Sequence, residues 1–354
     1  MKLPRSLSLI LPILALILLG QGCAGTTATS NAADGGVYKT ADHGVTWVQK
    51  RILIKGAKAV TLGNDPITAI TIDPEDSQAV YAGTAERGIV ASLDGGDSWQ
   101  EVIKGPVGKI QSIIVDPKNK CVVYASIANK IYKTENCTRD FTQIFFDPKT
   151  TKIFTQLAID WFNSTILYAG TSEGEIFKST DGGLSWQVVE RTNASVTSIL
   201  IDDRDSRTVY VGTYGDGVWK TMDGGSTWIQ IKKQLQNFSG AARVAGLELD
   251  HAEHSTLYLI SKFGLLASTS TGDTWSSIPL TSQTGSVDLI GIKVNPRNEK
   301  EITYITKNTM FFTTDQGATW ITKKLPSSRP ATALTMDRQD GKTVYIGFGA
   351  VPQQ

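Results

Sequence analysis

The residues that most suggest chemistry are carboxylates recurring at one place in a short pattern. Asp42, Asp94, Asp181, Asp223 and Asp315 each lie two positions after a Ser or Thr. Each is followed by a Gly two residues on, a Ser or Thr four on, and Trp47, Trp99, Trp186, Trp228 or Trp320 five on. Ser270, with Trp275, and Asn136, with Phe141, hold the same place in two weaker copies. A recurring carboxylate could bind calcium or act in acid–base chemistry. Seven copies spaced 42 to 52 residues apart, however, are equivalent and cannot converge on one substrate. The residue types fit a turn better: the carboxylate accepts bonds from nearby backbone N–H groups and the following Gly supplies a positive φ. The Trp is then free to pack between neighbouring elements.

Other reactive residues are few. The three histidines are His43, His251 and His254. No third ligand is suggested beside His251-x-x-His254, so no metal site is expected. Neither a Ser/His/Asp set, a phosphate-binding Gly loop nor a CxxC motif is present, and no cofactor is expected. Cys121 and Cys137 flank a hairpin whose turn falls near Ala128 and Asn129, which sets them opposite one another within one residue. A disulfide there would close a loop of about 17 residues and contribute roughly 3 kcal/mol. The alternative is a pair of buried free thiols.

Two strand-like runs with period-2 alternation precede each pattern. Ala69-Ile-Thr-Ile-Asp73-Pro74 followed by Val80-Tyr-Ala-Gly83 sets the template, and Leu157-Ala-Ile-Asp160 with Tyr168-Ala-Gly170 repeats it. Each repeat thus supplies an A strand ending in Asp or Asn, a B strand with Tyr, a C strand entering the pattern and a D strand after Trp. The pattern at Asp42 lacks A and B strands before it, while Ala333–Asp337 and Tyr345–Gly347 have no pattern after them. Pairing them with the strand from Gly36 to Thr40 completes a seventh unit and removes the open edge of a linear array.

The Ser/Thr-x-Asp-x-Gly-x-Ser/Thr-Trp motif resembles the Asp-box, or BNR repeat, of β-propellers. The resemblance implies an all-β, seven-bladed β-propeller of four-stranded antiparallel blades, closed by pairing N-terminal and C-terminal strands, over residues 35–349. It places the boxes in the C-to-D turns, on the same face as the A-to-B turns. The opposite face consists of D-to-A and B-to-C connections.

Before the propeller, Lys2 and Arg5 precede an apolar run from Leu7 to Leu19, the form of a signal segment over residues 1–22. Leu18-Leu19-Gly20-Gln21-Gly22-Cys23 resembles a bacterial lipobox with its Leu one place early, implying lipidation of Cys23 and a membrane anchor. The alternative is ordinary cleavage after Ala24. Residues 23–34 read as a flexible tether, and 350–354 as a tail. The chain is expected to be exported, as a periplasmic or cell-surface lipoprotein or else secreted.

With 35 basic and 34 acidic residues the net charge is +1, so electrostatic function requires local segregation. The D-to-A segments carry Lys50, Arg51, Lys55, Lys58, Lys104, Lys109, Lys149, Lys152, Arg191, Lys232, Lys233, Arg243, Lys323, Lys324 and Arg329. Against them stand Asp65, Asp147 and Glu190, a net of roughly +12, whereas the turns of the box face net roughly −14. Either this basic face binds a partner, or the lysines flank strands for solubility. The long connections Lys50 to Asp65 and Lys232 to Ala242, with Tyr214 and Phe263, are the candidates for shaping a partner site. Aromatic residues otherwise fall on repeat positions, so nucleic acid is not an expected partner.

Similar repeats occur in sialidases, but their arginine triad has no counterpart here. Xyloglucan-cleaving glycoside hydrolases set two propellers across a cleft, each giving one Asp. On the open face of this chain Glu86, Glu173 and Asp216 fall in different blades. The whole-chain arrangement is similar to the photosystem II stability and assembly factor family, exported propellers that act as scaffolds through a basic patch; sortilin receptors share only the repeat. The expected function is a non-enzymatic, lipid-anchored, monomeric scaffold for a protein or an anionic envelope polymer. The alternative is a carbohydrate-binding or glycoside-hydrolase propeller.

Overall fold

The computed structural model describes residues 33–102, 104–251, 256–283 and 285–351. The signal segment, Cys23, His254 and residues 352–354 lie outside the described residues. Seven antiparallel units form the ring of a β-propeller, and a short 3-10 turn, Lys233–Leu235, is the one helical element among the described residues. Blade 3 shows the plan: Phe154–Ile159, Leu167–Thr171, Glu175–Ser179 and Gln187–Arg191 lie side by side in chain order. Blades 1, 2, 4, 5 and 6 begin with the A strands Ile67–Ile72, Ile110–Asp116, Val196–Ile201, Val244–Leu249 and Gly291–Asn295.

Blade 7 closes the ring from both ends of the chain. Gly36–Thr40 pairs antiparallel with Val344–Phe348, Val37 opposite Gly347, with Ala331–Met336 inside and Val48–Lys50 outside. Arg329 locks this seam. Its Nε lies 3.3 Å from Asp34 Oδ1, and its Nη1 donates to the Asn64 carbonyl at 3.3 Å.

The B strands Val80–Thr84, Leu167–Thr171, Val209–Thr213 and Val344–Phe348 are buried at every position. Buried on both faces, they take continuous apolar and small residues rather than strict alternation. Their glycines admit the next blade: a Cβ on Gly170 would lie 2.3 Å from Val196 Cγ1, and one on Gly83 would lie 2.6 Å from Ile110 Cβ.

The connection from Lys50 to Asp65 is no loop. Ile52–Lys55 and Lys58–Thr61 form a hairpin about Gly56, whose φ is +60°. Its first strand runs parallel to the D strand Trp99–Glu101, so blade 1 becomes a six-stranded sheet. The alternation Ile52-Leu53-Ile54 causes this, because Leu53 turns inward and packs, fully buried, in one cluster with Trp99 and Leu62. A template of four strands per repeat has no place for that pair.

Candidate functional site

The box carboxylates are consumed locally. Asp181 Oδ1 accepts the Ser185 N–H at 2.9 Å and the Ser179 hydroxyl at 2.8 Å, while Oδ2 accepts the Ser185 hydroxyl at 2.5 Å. The same three bonds recur at Asp42, Asp94, Asp223 and Asp315. The downstream hydroxyl, then its N–H and the upstream hydroxyl, lower Asp42, Asp181 and Asp223 to about 2. Asp315 also falls to about 2, with the Thr313 hydroxyl leading. Such groups hold a turn and are poor proton donors or acceptors near neutral pH.

The weaker boxes keep the turn by other means. Ser270 Oγ accepts the Thr274 N–H at 2.8 Å. Asn136 and Asp140 exchange roles, since the Asn136 amide donates to Asp140 Oδ1 at 2.6 Å and its carbonyl accepts the Asp140 N–H at 3.2 Å. A disulfide joins Cys137, beside Asn136, to Cys121.

Trp47, Trp186, Trp228, Trp275 and Trp320 are half-buried and pack in clusters that join neighbouring blades. Trp99, under the extra hairpin, is fully buried and donates to the Lys50 carbonyl at 3.0 Å. A second staple has its own sequence signal outside the box motif, a Lys just before the first Ser or Thr of a box. Lys39, Lys133 and Lys178 lie over the rings of Tyr345, Tyr124 and Tyr168. Those tyrosine hydroxyls donate to the carbonyls of Gly95, Gly182 and Gly224, each in the next blade's box.

The residue after each A-strand Asp or Asn surrounds the axial opening on the box face. These are Pro74, Pro117, Trp161, Asp203, His251, Pro296 and Arg338, and a cavity of about 280 Å³ lies at this opening. Arg338 stacks on Trp161 at 4.1 Å and places Nη2 2.7 Å from Asp203 Oδ2. His251 Nδ1 lies 2.7 Å from the same oxygen. Burial works to raise the Asp203 pKa, but His251 and Arg338 outweigh it and hold the group down at about 2. Four blades are thus braced across the axis.

On the opposite face the basic residues divide. Lys149 pairs with Glu173 at 2.7 Å, Lys232 with Asp216 at 3.0 Å, Arg191 with Glu175 at 3.5 Å and Lys55 with Glu101 at 3.6 Å. Lys152 and Arg329 are buried and cannot meet a partner. Lys152 lies 2.6 Å from Asp147 Oδ2 and against Glu175; Arg329 serves the seam. A count by D-to-A segment leaves out Glu173 and Asp216 of the B-to-C turns and Glu175 at the start of a C strand, which reach the same face. Lys58, Lys104, Lys233, Arg243, Lys323 and Lys324 have no ion pair among the described residues. Lys50 points instead to Asp97 of the blade 1 box.

Several of the remaining candidates converge. A groove of about 630 Å³ between blades 4 and 5 is lined by Gly215, Ser239, Gly240, Ala242, Arg243, Lys262, Phe263 and Gly285. Tyr214, exposed, is bridged to Arg243 through the backbone, and Phe263 meets Phe238 edge-on with centroids 5.2 Å apart. Arg243 is exposed, and Lys262 is half-occupied by Asp288 at 3.2 Å. Gly215 has φ +129°, a backbone value that keeps a side chain out of the groove wall. The result is an open trough with cationic and aromatic walls, suited to an extended anionic chain.

The three open-face carboxylates lie in three different blades. Glu173 is held by Lys149, Asp216 by Lys232, and Glu86 lies in a third blade. Asp216, although buried, is kept ionised, burial being outweighed by Lys232, the Asn193 N–H and Trp219.

No protein-family model and no curated protein matches this chain. Solved structures do. The GH74 enzyme of Niastella koreensis matches with a TM-score of 0.64 and 20% identity over 81% of this chain and 52% of its own. The GH74 xyloglucanase of Xanthomonas campestris gives a TM-score of 0.67 and 16% identity over 81% of this chain and 51% of its own. This chain therefore spans about half the length of those enzymes. YCF48 bound to D1 peptide gives a TM-score of 0.62 and 13% identity, over 82% of this chain and 94% of its own. The chain is a seven-bladed β-propeller whose structural neighbours include both YCF48 and GH74 enzymes.

Proposed function

We propose that this protein is a non-enzymatic binding scaffold, exported and anchored to a membrane through Cys23, that holds an extended acidic protein segment in the groove over blades 4 and 5. The observation that carries the reading is the groove itself, where Arg243, without a carboxylate partner among the described residues, lies in the same wall as Phe263. The box aspartates support it by being spent on turns. The likeness to a propeller solved with a bound peptide, over 82% of this chain and 94% of its own, agrees with protein binding. The working form is a monomer. An anionic envelope polymer would use the same charges, and competition by a soluble polyanion separates the two ligands.

The test is capture of partners from cross-linked native membranes with the protein and with an Arg243→Glu/Lys233→Glu variant. A partner recovered by the first and lost by the second supports the reading; equal recovery contradicts it. The GH74 likeness favours a second reading, carbohydrate binding or glycoside hydrolysis, which turnover of a β-glucan by the purified protein would establish.

A further inference from the structure

Two positions before the Asp or Asn that ends each A strand, one residue per blade lines the axial cavity. In blades 2, 3 and 4 it is Ile114, Ala158 and Leu200, which make one side of the cavity apolar. In blades 7 and 1 it is Thr335 and Thr71. Between these two arcs, blades 5 and 6 place Glu248 and Lys293. The wall is therefore apolar over three blades and polar over four, with full charges at two neighbouring positions.

Lys293 Nζ donates to Glu248 Oε2 at 2.7 Å, and Glu248 is only 4% exposed. The blade plan does not require this pair, since five blades pack with Thr, Ile, Ala or Leu at the same place. Nor does stability account for it: desolvation offsets the attraction, so a buried ion pair adds little over apolar residues of similar volume. Among the described residues it is the one polar contact that either charged group makes. Glu248 Oε1 and two N–H positions of Lys293 are left for a ligand.

The paired charges select the chemistry of that ligand. A simple anion meets repulsion from Glu248, and a simple cation meets it from Lys293. A zwitterion satisfies both, with its ammonium on Glu248 and its carboxylate on Lys293, so that four charges alternate in sign. Thr335 and Thr71 follow Lys293 around the wall, and their hydroxyls can donate to the same carboxylate. At the mouth Arg338 is committed to Trp161 and Asp203, and His251 to Asp203, so neither competes for it. Size is bounded too, because a cavity of about 280 Å³ lies just below the range for drug-sized ligands, about 300–1,000 Å³. A small molecule with both charges on one carbon and an apolar tail for the Ile114, Ala158 and Leu200 arc is an α-amino acid.

We infer that the axial cavity on the box face binds a free aliphatic α-amino acid, its ammonium on Glu248, its carboxylate on Lys293 and its side chain against Ile114, Ala158 and Leu200. This small-molecule site shares no lining residue with the groove of blades 4 and 5. Its occupant touches A strands from both sides of the ring, so binding stabilises the closed propeller by mass action.

The test is isothermal titration of the full-length protein with L-leucine, beside isocaproate, which lacks the ammonium, and isoamylamine, which lacks the carboxylate. Leucine is expected to bind once per chain and to raise Tm, with each half-analogue weaker by about tenfold or more, the usual worth of a hydrogen bond to a charged group. Glu248→Leu/Lys293→Leu gives blades 5 and 6 the residue that blade 4 already carries at this position. That variant is expected to fold and to lose leucine binding. No binding of leucine at millimolar concentration, equal binding of either half-analogue, or leucine binding kept by the folded double variant overturns the inference. The analogue series uses the unaltered protein and decides the matter even where the double substitution disturbs folding. Partner capture by the groove variant is read separately, so the two readings fail independently.

Discussion

At the scale of residues, Asp, Gly, Ser and Thr in the boxes act as turn chemistry repeated around a ring. The pH dependence follows from the depressed carboxylates. A folded pKa of about 2 against the ordinary carboxylate value of 3.8 means that the stabilisation is complete above the latter and is lost as pH falls through the former. Asp181→Asn is therefore expected to lower Tm at neutral pH, with the difference from wild type shrinking between about pH 4 and pH 2; thermal scans across that range check it. A packing prediction belongs here too. Gly170→Ala drives a Cβ to 2.3 Å from Val196 and is expected to cost about 1–3 kcal/mol in denaturant unfolding. The box positions were legible because seven near-copies state the same requirement. The Tyr-to-Gly staples were less so, because Tyr168 and Gly224 meet only after two blades are placed side by side.

At the scale of elements, the strands were readable wherever alternation and the Asp-to-Tyr spacing repeat, and the hairpin of blade 2 turns at Ala128 and Asn129 with Ile127 opposite Lys130. The hairpin at Ile52–Thr61 carries an equally plain alternation, but occurs once, so a repeat-based reading passes it over. Its anchor is Leu53. Leu53→Ala is expected to destabilise by about 2–5 kcal/mol and to expose Trp99, seen as a red shift of tryptophan emission on the folded baseline. The charge pattern shows the opposite kind of error. Reading D-to-A segments alone gives a strongly basic face, whereas Glu173, Glu175 and Asp216 arrive from other parts of the blades and neutralise Lys149, Lys152, Arg191 and Lys232. Lys152 and Arg329 show what no linear count can: a long cationic side chain buried against carboxylates remote in sequence.

At the scale of the whole molecule, closure by Gly36–Thr40 turns seven weakly self-sufficient sheets into one cooperative unit. The Arg338 brace across the axis and the Arg329 seam reinforce the same closure from opposite faces. The groove at blades 4 and 5 is the surface proposed for binding. The central claim is that the groove selects a partner by charge. Its most direct measurement is cross-linked capture from native membranes with wild type beside Arg243→Glu/Lys233→Glu, both forms shown by thermal unfolding to be equally folded. The account predicts one partner bearing an acidic extended segment, enriched by wild type and absent from the variant. Recovery of the same partner by both forms would contradict it.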